Sequence, residues 1–117
     1  MATVTVDKSE IEGGAFLATW SAMALTDEGS RVAFAGASDR TVQVVGTFGT
    51  GGSVEIEGSN DGINWAPLTD PRGNLLIFSG SKIEAVSELT RYLRPRITGG
   101  DGTTALTVTL LMRSTWK

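Results

Sequence analysis

Apolar and polar residues alternate at period two along most of this chain, the pattern of strands with one face buried and the other wet. It is clearest in Thr104–Arg113, where Leu106, Val108 and Leu110 share one face and Thr107, Thr109 and Leu111 the other. Thr41–Phe48 repeats it with Val42 and Val44, and Ser53–Gly58 interleaves Val54 and Ile56 with Glu55 and Glu57. The GTGG between these two segments reads as the turn of a hairpin. SNDG at 59–62 is a second turn, leading to a strand at Trp65–Leu68. Asp70-Pro71-Arg72-Gly73-Asn74 is a third, leading to Leu75–Phe78. Tyr92–Thr98 reads as a strand joined through GGDG at 99–102 to the last one, as an antiparallel hairpin. Pro95 has no N–H to give to a ladder, which places it on an edge strand or opposite a missing acceptor.

The first 40 residues are less regular. Thr3–Val6 alternates, Arg31–Phe34 is a short strand candidate, and Ala15–Leu25 fits a strand slightly better than a helix of two to three turns. Ser87–Thr90 has the composition of a single helical turn. About eight strands at intervals of roughly 8 to 12 residues, split by glycine-rich turns, make an all-β antiparallel sandwich, jelly-roll-like, in one domain over 1–117. Residues 1–14 are readable as an extended N-terminal arm. Trp65, Leu68, Phe78, Tyr92, Val42, Val44, Ile56, Leu106, Val108 and Leu110 are the expected core.

Composition narrows the chemistry. The chain has 117 residues with 15 Gly, 25 Ser or Thr, and neither Cys nor His. That removes disulfides, thiolates, the usual general base and the commonest transition-metal ligand, so the reading is non-enzymatic, without cofactor or metal. Glu55 and Glu57 share a face but have the spacing of a solvent-facing strand rather than of a hydrolase pair. Asn60, Asp61, Asn64, Asp70 and Asn74 offer oxygen ligands in two adjacent turns, where Asx turns account for them better than bound calcium. The glycine clusters at 46–52 and 99–102 lack the GxxxxGK of a phosphate loop. The start MATVTVDKSE lacks a signal-peptide pattern, and no run is long enough to span a membrane, so synthesis in the cytoplasm is expected.

Charge is unevenly spread. Residues 1–80 hold 4 basic and 10 acidic side chains, and residues 81–117 hold 6 and 3. Arg91, Arg94 and Arg96 fall within six positions. They could meet an acidic partner or pair with the chain's own acidic half, and a sequence pI of about 4.8 without a Lys-rich tail disfavours nucleic acid. Trp20, Trp65 and Trp116 are candidate stacking platforms. Trp65 fits the core better, while Trp116, next to the C-terminus, needs a dock on its own domain or on a neighbour.

The segments VQVVGTFGTGGSVEIEGSNDGINWAPLTDPRGN and ELTRYLRPRITGGDGTTALTVTLLMR, between Thr41 and Arg113, resemble small β-sandwich proteins encoded among the structural genes of tailed bacteriophages, of the capsid decoration or cement kind. The resemblance implies an oligomer, dimer or trimer, on the outside of an icosahedral head, bracing neighbouring major capsid subunits. It assigns no residue a role. On composition, Pro95 with Arg91, Arg94 and Arg96 is the candidate capsid interface, and Ala2–Glu12 with Trp116 the candidate contact to neighbours. The same SNDG…W…RYLR layout also resembles discoidin-type sandwiches. That likeness implies the alternative, a carbohydrate- or receptor-binding module of a phage tail or fibre.

Overall fold

Five long strands turn one face against a shared apolar layer, three of them by burying alternate side chains. The computed structural model describes residues 2–33 and 35–114. Among them lie twelve strands: β1 (Thr3–Val4), β2 (Asp7–Glu10), β3 (Ala15–Met23), β4 (Glu28–Gly29), β5 (Val32–Ala33), β6 (Asp39–Thr47), β7 (Ser53–Ser59), β8 (Ala66–Pro67), β9 (Ile77–Phe78), β10 (Lys82–Ala85), β11 (Tyr92–Gly99) and β12 (Ala105–Arg113). A short 3-10 turn, Glu12–Gly14, precedes β3. The ambiguous segment at 15–25 is therefore a strand, Ala15–Met23, and Ser87–Thr90 is not a helical turn.

Two sheets pack face to face. One orders its strands β1-β4-β11-β7-β8, with β5 also pairing β11 and β9 also pairing β7; the other orders them β10-β6-β12-β3-β2. Residues 2–10 belong to both, since β1 pairs with β4 and β2 with β3. Between the sheets lie Trp20, Met23, Val42, Val44, Val54, Ile56, Phe78, Leu93, Leu106, Val108, Leu110 and Met112.

Two expected hairpins are not hairpins. β6 pairs with β10 and β12, whereas β7 pairs with β8, β9 and β11, so the GTGG turn carries the chain from one sheet to the other. The GGDG segment does the same between β11 and β12. Period-two alternation says which face of a strand is buried, but the two strands of a hairpin and of a cross-sandwich arch alternate alike. The other turns are as expected: β8 folds back on β7, and Asp70–Asn74 turns the chain between the bridged residues Thr69 and Leu75.

Pro95 is buried and sits inside a sheet, not on an edge. The Ile97 N–H, of the same parity, donates to the Asp27 carbonyl on the β4 side. The nitrogen of Pro95 therefore faces the interval between β4 and β5, where the ladder is already broken. The core assignment also changes at two positions. Tyr92 and Trp65 are half-buried rather than interior. Because Leu93, Pro95 and Ile97 point inward, Tyr92 points outward, and Trp20 takes the interior place, donating its Nε1–H to the Ser30 carbonyl at 2.9 Å.

Candidate functional site

The outer face of the β11 sheet collects most of the residues singled out in the sequence. The register sets Tyr92 opposite Ser59, Arg94 opposite Glu57 and Arg96 opposite Glu55. Arg94 reaches Glu57 through Nε at 2.9 Å and Glu28 on β4 through Nη1 at 3.3 Å. Arg96 reaches Glu55 through Nη2 at 3.2 Å and the second oxygen of Glu57 through Nε at 3.3 Å. Glu57 thus bridges both arginines. The Arg94 guanidinium also lies over the Trp65 ring, 4.0 Å from its centroid. At the end of the strand, Arg31 and Arg91 both stack on Tyr92, at 4.4 and 5.1 Å.

This arrangement changes what the arginine cluster can do. Arg94 and Arg96 meet three carboxylates of the acidic half, so they form a ladder of cross-strand ion pairs rather than a free cationic patch. Arg91 stays exposed beside Tyr92, with its backbone N–H donating to Asn60 Oδ1. Pro95 lies beneath the ladder, on the inner face. Trp116 lies outside the described residues. Arg31 and Tyr92 were missed as site residues, and Trp65, a candidate stacking platform in the sequence, had been given to the core instead; the parity of Tyr92 with Arg94 and Arg96 was the signal that could have placed Tyr92.

The acidic turns hold themselves together. Asp61 accepts backbone N–H groups from Asn64 and Ile63, the Asn64 amide and the Ser59 hydroxyl, which hold its carboxyl well below the usual range. Asp70 accepts the N–H groups of Arg72 and Asn74. These are Asx turns. Among the described residues no group of three or more carboxylates is placed to hold a metal ion.

The two glycine-rich arches meet at one end of the sandwich. Asp101 accepts from the Thr103 hydroxyl and from the backbone N–H groups of Thr50 and Thr103, and its pKa falls to about 2. The Thr104 hydroxyl closes on the Phe48 carbonyl at 2.8 Å. An S-x-x-K spacing at Ser79–Lys82 marks no catalytic pair. Lys82 is an exposed side chain ion-paired with Glu84 at 3.4 Å, not the desolvated amine that such chemistry uses.

The outer face of the other sheet is of a different kind. Ser9, Leu17, Leu111, Thr41 and Ala85 form one cross-strand row, and Asp7, Thr19, Thr109, Gln43 and Ile83 the next. A cleft of about 430 Å³ bounded by Ile11, Ala15, Asp39, Thr41, Leu111 and Arg113 opens at one end. A smaller one of about 190 Å³ continues from Leu111 and Thr41 toward Ile83.

The fold is similar to that of the SPBc2 prophage-derived protein YomS, known from a crystal structure. The TM-score is 0.60 at 11% identity, over 89% of this chain and 98% of that one. At that identity the likeness is one of fold. No family model matches the chain, and no curated protein matches it. Among the described residues no helix is long and apolar enough to cross a membrane.

Proposed function

We propose that this chain is a structural protein of a tailed-phage virion that binds the outside of the icosahedral shell and braces neighbouring major capsid subunits. The observation that carries the reading is the similarity of fold to a prophage-derived protein, over 89% of this chain and 98% of that one. A brace works by surface contact and multivalency, needing neither a deep pocket nor a titrating group. It stabilises by linkage, because a protein that binds only the assembled lattice lowers that state's free energy against rupture. Nucleic-acid contact has no part in it, since Arg94 and Arg96 already have carboxylate partners. Arg31 and Arg91, flanking Tyr92, are the cations turned toward an acidic capsid surface. The test is co-sedimentation with undecorated, expanded heads. Saturable binding at a fixed copy number, with genome release shifted to higher temperature, is expected; absence of binding by the folded protein overturns the reading.

One observation favours the second reading, a carbohydrate-binding module of a tail or fibre. Trp65 and Tyr92 are half-exposed aromatic rings beside arginines and carboxylates, the side-chain types that grip sugar rings and hydroxyls. In that case Trp65→Ala abolishes retention on a glycan array while the melting temperature changes little.

A further inference from the structure

We infer that the outer face of the β10-β6-β12-β3-β2 sheet is the contact between two copies of this chain. The inference gives the decoration reading its oligomer, but it rests on separate observations. The first is the contrast between the two outer faces. One carries five interlocked charges, as a wetted sheet does. The three middle strands of the other present Leu17, Thr19, Thr41, Gln43, Val45, Thr107, Thr109 and Leu111. Its charges sit at the margin, with Asp7 on the edge strand and Asp39 paired with Arg113 at 2.7 Å at one end. Ile83, Val45 and Leu111 are 57%, 42% and 40% exposed there.

The second observation identifies the occupant. In a two-fold contact each patch meets itself, so a net charge in the middle would repel its own copy. Threonine hydroxyls and the Gln43 amide both donate and accept, and aliphatic side chains are indifferent to polarity, so this patch can pair with itself. Its size also fits. Three nine-residue and two four-residue strands, at about 3.4 Å per residue and 4.8 Å between strands, present a projected area of about 600 Å² before side-chain relief. A standard interface needs about 800 Å² of accessible surface per partner. The clefts along Leu111 and Thr41 supply the relief that one flat sheet needs to interlock with another.

Sedimentation of the whole chain tests this. The wild type is expected at twice 12.3 kDa. Leu111→Glu and, independently, Thr109→Lys are expected to halve that mass while leaving the far-UV circular dichroism unchanged. Thr109 is partly exposed, so Thr109→Lys gives the same readout should Leu111→Glu fail to fold. Ile63→Glu, on a loop of the other sheet and 80% exposed, is the control that stays dimeric. A wild type that stays monomeric at its highest soluble concentration overturns the inference, as does a dimer that survives both substitutions. A monomer that binds capsids overturns this contact alone, and a dimer that ignores capsids overturns the decoration reading alone.

Discussion

Trp20 and Trp65 carry the same side chain to opposite ends of the energy scale. Trp20 has no exposed surface and fills the space between the sheets, so Trp20→Ala should cost about 3–5 kcal/mol through the cavity it leaves. Against a total of about 5–15 kcal/mol for a domain, that is a large share of the whole stability. Trp65, half-buried, stacks under Arg94, and Trp65→Ala should cost about 1–2 kcal/mol, the worth of a partly desolvated cation–π contact. Urea unfolding midpoints separate the two. Asp61 and Asp101 set the acid limit. Both are held below the ordinary carboxyl range when folded, Asp101 at about 2, so their stabilising contribution is complete above the unfolded value near pH 4 and is lost as pH falls toward 2. With no histidine, the melting temperature should be nearly flat between about pH 5 and 8 and fall below about pH 4. Asp101→Asn should flatten that acid limb, which a series of thermal melts against pH would show.

At the scale of elements, β4, β3 and β11 meet at a single close contact. Gly29 lies where an added Cβ would sit 2.6 Å from the Trp20 indole and 2.7 Å from Pro95 Cδ, and neither ring has a flexible end to move away. Gly29→Ala should therefore cost about 1–3 kcal/mol by overpacking, visible as a lower denaturant midpoint at unchanged m-value. Glu57 is the second joint, shared by Arg94 and Arg96 across the β7–β11 register. Glu57 is buried, so Glu57→Gln should cost on the order of 1–3 kcal/mol with only a weak dependence on salt, read from urea midpoints at low and high ionic strength. Pro95 shows how far local rules reach. Its missing donor demands an edge or a gap in the ladder, but a gap inside a sheet depends on where β4 ends and β5 begins, some 65 residues away in sequence.

The whole molecule presents one charged, aromatic face and one neutral, partly aliphatic face on opposite sides of a shared core. That asymmetry fits a protein that meets its own copy on one side and a larger surface on the other, and a capsid-binding assay run beside sedimentation addresses both sides at once. The sequence by itself determined the all-β class, the strand parity of Val42, Val44, Val54, Ile56, Leu106, Val108 and Leu110, and the Asx turns at Asp61 and Asp70. Each of these follows from interactions within a few residues: pleat alternation and side-chain capping of the local backbone. Only the tertiary structure decided that the two glycine-rich segments are arches, that Trp65 faces outward, and that Arg94 closes on Glu57, 37 residues away. Strand pairing joins residues far apart in the chain, and its choice depends on which sheet best covers the common core. Alternation alone carries no record of that choice.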